Sequence, residues 1–379
     1  MPQSFAELGV GAHTAAALAR NSLHTPVEVQ ARAIPFLLAG RDVVIQAPTG
    51  SGKTLAFVLP LAERLSRSAP GPRGLVVVPT RELAIQVDSV LATLGLPVRR
   101  ALLYGGVGYA TQTTSLRQGV DVVVATPGRL LDMIGRRLLS LSRVEYLVLD
   151  EADEMFDSGF AKDVERILAL TFQPQTVLAS ATMPDWVASM TERHLNDPAF
   201  ISVKPAAEPD LEHGLLHVQA ASKLRTLSAV LQLHGASIVF GRTKHGVRKL
   251  NRELQRLGHL SVELQGNMSQ TARDRVMAGF RQAQSQVLVA TNVAARGLDL
   301  AGVELIVNYE LPDTPEWLVH RVGRTARMGQ AGRALTFITP QDASAWKRLR
   351  RLGTPALPAV DREHLLAGSW RYLSGGSRA

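Results

Sequence analysis

Short apolar runs alternate with amphipathic stretches along almost the whole chain of 379 residues. The runs at Asp42–Gln46, Gly74–Val78, Arg99–Leu103, Asp121–Ala125, Val144–Leu149 and Thr176–Ala179 are rich in Val, Ile and Leu and mostly lack a polar residue at every second position. That pattern predicts strands covered on both faces, as in a parallel sheet. Helical patterns lie between them at Thr54–Leu65, Arg81–Leu94 and Trp186–His194. Strand-helix-strand repetition implies right-handed crossovers and a doubly wound α/β layer.

The rhythm pauses at Lys204–Asp210, where two prolines among small and charged residues predict a linker. It resumes with strands at Ser237–Phe240, Leu260–Leu264, Gln286–Ala290, Val303–Asn308 and Ala334–Ile338, and helices at Lys244–Leu257 and Thr271–Arg281. The expected organisation is a first α/β domain over 1–205, a linker at 206–211, a second α/β domain over 212–352, and a short basic, flexible tail over 353–379. Trp346–Leu352 reads as a last basic helix. From Gln341 onward seven Lys/Arg face three acids, a charge that suits either a solvated face or RNA contact. No repeat of solenoid length is visible.

Composition narrows the classes. The length is about twice that of one domain, and 46% hydrophobic residues suffice for two cores. The formal net charge of +9 favours polyanionic partners, nucleic acid before membrane. Zero cysteines exclude disulfides, thiolate metal sites and cysteine nucleophiles. The N-terminus has no secretory pattern, and no apolar run is long enough for a membrane span. A soluble, cytoplasmic protein is expected.

The chemistry begins at Ala47-Pro-Thr-Gly-Ser-Gly-Lys-Thr54, between a strand and a helix. Gly50 and Gly52 let the backbone wrap a phosphate, so that N–H groups from Thr49 to Thr54, Ser51 included, point inward at a helix N-terminus. Lys53 adds positive charge at the β- and γ-phosphates, and the Thr54 hydroxyl suits Mg²⁺. ATP and Mg²⁺ are the expected cofactors. Asp150-Glu151-Ala-Asp153 closes the most apolar strand. Alone, such acids could equally cap the following helix. Beside a phosphate loop, Asp150 suits Mg²⁺ held partly through water, and Glu151 suits activation of an attacking water.

The second half has no phosphate loop, but it carries His320-Arg-Val-Gly-Arg-Thr-Ala-Arg327. Arg321, Arg324 and Arg327 are three apart, a spacing that gathers them on one face of a helix. By itself this could be a solvated basic face. With a triphosphate on the other domain, Arg324 and Arg327 become candidate fingers on the γ-phosphate. The run Thr291–Asp299, containing Gly297, follows a strand and ends in an acid suited to ribose hydroxyls.

With these motifs stand Pro79-Thr-Arg-Glu-Leu-Ala84, Gly105-Gly106, Thr126-Pro-Gly-Arg129, Ser180-Ala-Thr182 and Gln270-x-x-Arg273, in that order. The ordered set resembles the DEAD-box RNA helicases over about residues 5–340. Tyr104–Tyr109 and Asp153–Phe160 look most like bacterial members. The resemblance implies two RecA-like doubly wound parallel-sheet domains in tandem, of the P-loop NTPase kind in helicase superfamily 2. It implies that Gln30 reads the adenine edge and that Phe5 supports that region. Pro79, Thr80, Arg81, Gly105, Gly106, Thr126, Pro127 and Arg129 would contact RNA backbone from the first domain, and Arg242, Thr243, Gly266 and Thr291 from the second. Asp153, Ser180, Thr182 and His320 would couple hydrolysis to RNA. Four positions depart from the family pattern: Leu23, where an aromatic is frequent, Val27 for Thr, Gln265 for His and Asn292 for Asp.

The function so implied is ATP-dependent RNA helicase activity: RNA-stimulated hydrolysis drives interdomain closure and opening, with local separation of short duplexes or remodelling of ribonucleoprotein. Phosphate-directed contacts carry no base code, so single-stranded or partly duplex RNA should bind with little sequence preference. The competing readings are an ATP-gated RNA clamp with negligible turnover and a DNA-acting helicase of the same architecture. A monomer is expected, with ribonucleoprotein or ribosome-assembly partners open.

Overall fold

A computed structural model describes residues 4–65, 71–95, 98–204, 211–292, 302–326 and 331–373, apart from the side chains of residues 270 and 316. The chain divides into two units, Met1–Ala206 and Ala207–Ala379. In the first, strands β1 (Val43–Gln46), β2 (Gly74–Val77), β3 (Arg100–Leu103), β4 (Val122–Ala125), β5 (Tyr146–Asp150), β6 (Gln175–Ser180) and β7 (Ala199–Ser202) form one sheet. Its order is β3-β4-β2-β5-β6-β1-β7, and every pairing is parallel.

The uninterrupted apolar runs have a direct structural reason. Val43, Ile45, Val76, Val122, Val124, Val148 and Val177 enter one core layer with helices Glu28–Leu38, Lys53–Leu65 and Arg81–Thr93. Their neighbours Val44, Leu75, Val77, Val123, Leu147, Leu149 and Leu178 enter the opposite layer with helices Pro127–Gly135, Ala161–Ala169 and Asp185–His194. The inner strands β1, β2, β4, β5 and β6 feed two cores, so few of their positions are free to be polar. β7 escaped the sequence reading because it is an edge strand whose residues alternate buried and exposed.

The second unit repeats the design with β8 (Leu211–His217), β9 (Ser237–Gly241), β10 (Ser261–Leu264), β11 (Val287–Thr291), β12 (Leu305–Asn308) and β13 (Gly332–Ile338). The order is β10-β11-β9-β12-β13-β8, again parallel throughout. Helices Lys223–Gln232 and Lys244–Arg256 cover one face, and Gln270–Arg281 and Pro315–Val322 the other. β8 was also unforeseen, its sequence Leu-Glu-His-Gly-Leu-Leu-His lacking a clean apolar run. Gly214 in it marks a close approach: a Cβ there would lie 2.3 Å from Val360 Cγ2.

That contact corrects the expectation of a flexible tail for residues 353–373; residues 374–379 lie outside the described residues. Ala359 bridges β8 at Leu215, Val360 bridges Tyr372, and a short helix forms at Arg362–Leu366. Asp361 caps it, its Oδ1 accepting from the N–H groups of Glu363 and His364. Val360 and Leu365 are buried in the core of the second unit. Sparse apolar residues between charges concealed this segment, which folds by covering an exposed sheet edge.

One polar chain crosses this core. His213 Nε2 lies 3.0 Å from Thr336 Oγ1, which accepts from Asn308 Nδ2 at 3.0 Å. Burial lowers His213 to about 4.

Two outcomes follow. Leu365→Ala should destabilise the second unit by about 2–4 kcal/mol in denaturant unfolding, whereas a loose tail would leave the midpoint unmoved. Because the folded state holds His213 neutral, its contribution to stability is full above pH 6.5 and is lost as pH falls through about 4. His213→Gln should therefore flatten that part of the profile of melting temperature against pH.

Candidate nucleotide and RNA sites

In a parallel sheet all strands deliver their carboxyl ends to one edge, where ligands bind. The neighbours β5, β6 and β1 place three expected motifs side by side there. Gln46 is in register with Ser180, and Asp150 with Ala179. The phosphate loop, the Asp150–Asp153 acids and Ser180–Thr182 thus meet without long connections.

The loop runs from Ala47 to the start of helix Lys53–Leu65. Gly50 and Gly52 have φ of 85° and 92°, the left-handed region that glycine adopts without strain. Gly52 has a second reason. A Cβ there would meet Gln30 Nε2 at 2.7 Å and Val27 Cγ2 at 2.8 Å. Gln30 donates from Nε2 to the Gly52 carbonyl and accepts at Oε1 from the Val27 N–H. The expected adenine reader is therefore buried and braced on the phosphate loop itself. Phe5 is buried in the same apolar layer as helix Glu28–Leu38, while Leu23 and Val27 are exposed. Thr49 is exposed and Thr54 half-buried; Ser51 Oγ is buried without a hydrogen-bond partner among the described residues.

Charge is concentrated beneath the loop. Lys53 Nζ donates to the Ala47 carbonyl at 2.6 Å and lies 3.5 Å from Glu151 Oε1. Asp150 Oδ1 accepts from the Glu151 N–H at 3.0 Å. Burial away from water and the neighbouring Glu151 charge push Asp150 up to about 7, against the pull of Lys53. Glu151 has φ 51° and ψ 55°, a left-handed conformation costing a non-glycine residue about 1–3 kcal/mol. It precedes helix Ala152–Asp157 but gives it no side-chain cap, so the capping alternative does not explain its place. Asp153 holds the next strand end: its Oδ2 accepts from the Thr182 N–H at 2.8 Å and hydroxyl at 2.7 Å, and its own N–H donates to Ser180 Oγ at 3.2 Å.

The residues expected to touch RNA occupy the other half of the same edge. Pro79 follows β2, Gly105 and Gly106 follow β3, and Thr126 follows β4, strands adjacent in the order β3-β4-β2. Thr80 caps helix Arg81–Thr93, its Oγ1 accepting from Leu83 N–H. Gly105 and Gly106 face open space, and Pro127 begins helix Pro127–Gly135. Arg129 donates to Gln112 Oε1 and to the Val107 carbonyl, which ties down the glycine loop. Its guanidinium lies 4.4 Å from the Tyr109 ring centre, and that of Arg81 lies 4.2 Å from Tyr104. Arg81 Nε and Nη1 are buried without hydrogen-bond partners among the described residues. Tyr104 and Tyr109, at the two ends of the Tyr104–Tyr109 segment, are partners of these arginines that spacing alone did not reveal.

In the second unit Arg242 and Thr243 follow β9, Gly266 follows β10, and Thr291 ends β11, again three adjacent strands. Arg242 donates its N–H to Glu310 Oε2 at 2.6 Å and pairs with Asp313 at 2.8 Å. Thr243 Oγ1 caps the helix that follows. Gln265 is buried.

The arginine motif needs correction. Helix Pro315–Val322 ends before Arg324, with Gly323 as its C-cap, so Arg321 and Arg324 do not share a helix face. Arg321 is 2% exposed and points into the fold. It donates from Nε to Asn292 Oδ1 at 2.7 Å, and from Nη1 to Asn308 Oδ1 at 3.1 Å and the Glu310 carbonyl at 2.7 Å. Desolvation draws it down to about 9. Arg324 is half-buried, and half-buried His320 stands edge-on to Trp317. Gly297, Asp299 and Arg327 lie outside the described residues.

A phosphate loop braced by a buried glutamine, with paired acids and a coupled Ser-Ala-Thr turn on neighbouring strand ends, is the arrangement of a known family. Residues 27–190 match the DEAD/DEAH box helicase domain and residues 222–329 the helicase conserved C-terminal domain. The chain is 40% identical to the DEAD-box ATP-dependent RNA helicase CshA of Bacillus cereus, over 98% of this chain and 73% of that protein. It is 38% identical to CshA of Bacillus subtilis, over 93% and 72%. The structure of S. cerevisiae Dbp5 bound to RNA and ADP BeF3 aligns with a TM-score of 0.84 at 29% identity, covering 96% of this chain and 97% of that one. The chain belongs to the DEAD-box ATP-dependent RNA helicases. It is an RNA-dependent ATPase, and neither the clamp nor the DNA-acting reading is favoured. Among the described residues, no helix is long and apolar enough to cross a membrane.

Asn292, where the family commonly has an acid, leaves the buried Arg321 guanidinium hydrogen-bonded only to neutral acceptors among the described residues, with the Asp313 and Glu310 carboxylates acting on it without a hydrogen bond. Asn292→Asp should raise the melting temperature by an amount equivalent to about 1–2 kcal/mol; a fall on calorimetry would show that the amide is the better partner.

Proposed function

We propose that the carboxyl edge of the first sheet works in two halves, with ATP over β5-β6-β1 and the RNA backbone over β3-β4-β2. The observation that carries this reading is the buried cluster of Lys53, Asp150 and Glu151 beneath the loop. Two carboxylates beside one ammonium leave negative charge in excess, and burial makes that costly. Hard oxygen donors from Asp150 and the Thr54 hydroxyl fit Mg²⁺, which when bound would neutralise charge on the phosphates.

Gly50, Gly52 and the neighbouring N–H groups hold the triphosphate, Gln30 selects adenine, and Asp299 with Gly297 meets the ribose side. Glu151, held in its strained backbone conformation, orients the attacking water and takes its proton. Arg324 and Arg327 stabilise charge on the γ-phosphate, which makes hydrolysis depend on both units. Asp153, Ser180, Thr182 and His320 carry that change to the RNA path.

Contacts from Thr80, Arg81, Arg129, Arg242 and Thr243 to phosphates give affinity without base preference. Closure grips one strand along a path that a regular duplex does not follow. Each stacked step opened costs about 1.4 kcal/mol, so one ATP cycle separates short duplexes locally. The protein acts as a cytoplasmic monomer on RNA or ribonucleoprotein.

A short RNA duplex should be separated with ATP, weakly with a non-hydrolysable analogue and not by Lys53→Ala. Glu151→Gln should lower kcat at least about 100-fold while RNA binding persists, and Arg324→Ala or Arg327→Ala by about 1,000-fold. Wild-type turnover in Glu151→Gln would remove the catalytic assignment. Equal stimulation by single-stranded DNA would remove the RNA preference.

A further inference from the structure

Charge in the first unit is divided between the two edges of its sheet. Met1–Ala206 holds 19 Lys/Arg and 19 Asp/Glu and is neutral as a whole. Residues 150–157, at the carboxyl edge, hold five acids and no cation. Residues 71–73, 98–99, 117–121 and 136–145, which lead into β2, β3, β4 and β5 at the amino edge, hold six arginines and two acids. Both acids are taken, Asp121 by Arg99 at 2.7 Å and Glu145 by Arg73 at 3.0 Å, and Arg136 pairs with Asp132. Exposed Arg117, Arg137 and Arg143 carry the excess.

A cavity of about 270 Å³ opens among these segments, with Pro72, Leu116, Val120, Leu138 and Leu139 in its walls. The last four pack in or against the core layer of Leu75, Val123 and Leu147, so the floor of the cavity is the end of that layer, reached from outside. Two wall glycines admit arginines to the rim. A Cβ at Gly119 would lie 2.8 Å from Arg99 Nη1, and one at Gly71 would lie 3.4 Å from Arg143 Cδ. Both glycines have positive φ, 84° and 91°, where a side chain is strained.

An apolar cavity of about 150 Å³ holds one benzene, so this one has room for two side chains of leucine size. None of its described lining residues is aromatic, and base stacking needs rings. Sugar-phosphate would answer the arginines and leave the apolar floor wet, at a cost in unburied area. The strands β3-β4-β2-β5 are neighbours, so the arginines spread over three strand spacings, about 14 Å, more than a small anion covers. An extended acidic peptide with an aliphatic anchor matches both the charge and the cavity.

We propose that the amino edge of the first sheet is a docking site for an acidic peptide segment of another protein, with two adjacent aliphatic side chains in the cavity and carboxylates on Arg117 and Arg143. The residues assigned to ATP and RNA in this unit lie at the carboxyl edge of the same sheet. A partner docked here therefore tethers the protein without occupying that edge. The proposal goes beyond the helicase reading and does not depend on it.

The test uses the full chain and a fluorescein-labelled peptide of glutamates around a central leucine pair, with binding read by fluorescence anisotropy. The wild type should bind it at least about tenfold more tightly than the same peptide with serines for the leucines, and single-stranded RNA with an ATP analogue should not displace it. Arg117→Glu/Arg143→Glu should weaken binding by about tenfold or more at low salt, whereas Arg117→Lys/Arg143→Lys should retain it. Ser140→Trp, which fills the cavity from an exposed position, should remove the preference for leucine. RNA-stimulated ATPase should stay within about twofold in every variant, which also reports that each is folded. Equal affinity for the two peptides would reduce the site to a charged surface and overturn the proposal. Displacement by RNA, or a raised RNA requirement in Arg117→Glu/Arg143→Glu, would make this edge an RNA surface and overturn it. So would the absence of binding up to about 1 mM peptide.

Discussion

The structure turns on the burial of charge at the end of an apolar strand. β5 passes from Tyr146 through Leu149 entirely inside the first sheet and delivers Asp150 and Glu151 where water is scarce. Nothing about stability favours two adjacent carboxylates there. They persist because β1 sets Lys53 beside them and because their neighbours are hydrogen-bonded in register. Low dielectric surroundings make the site's charge balance sensitive to any ligand that adds or removes charge, which is what a machine responding to a triphosphate requires.

Asp153 extends the same logic sideways. By accepting both donors of Thr182 and donating to Ser180, it ties the acidic strand end to the turn after β6. The acidic strand end and the turn after β6 are thereby joined without an intervening flexible element. On the other half of the edge, Arg129 plays a comparable holding part, fixing the Gly105–Tyr109 loop through Val107 and Gln112. Side chains that resemble RNA contacts by motif are therefore also the braces of their own loops.

Arg321 shows how a motif can mislead when spacing is read as geometry. Three arginines at intervals of three form a face only while the helix continues, and Gly323 ends it. The first arginine then turns inward, where Asn292, Asn308 and the Glu310 carbonyl accept from its Nε and Nη1 and the Phe240 ring lies 5.0 Å from its guanidinium. It joins the polar chain through Thr336 to His213 and so links the ends of β11 and β12 to the interiors of β13 and β8.

The amino-acid sequence by itself determined the alternation of strands and helices, the parallel sheets, the phosphate loop and the order of the motifs. These are local: apolar runs report burial on both faces, and Gly50, Gly52, Lys53 and Thr54 act within a few residues of one another. Only the tertiary structure decided strand order, and with it the division of one sheet edge into β5-β6-β1 and β3-β4-β2. It alone brought Gln30 onto Gly52, buried Arg321 and folded residues 353–373 onto β8. Those outcomes depend on which distant surfaces meet and how much water they exclude, quantities that no local pattern encodes.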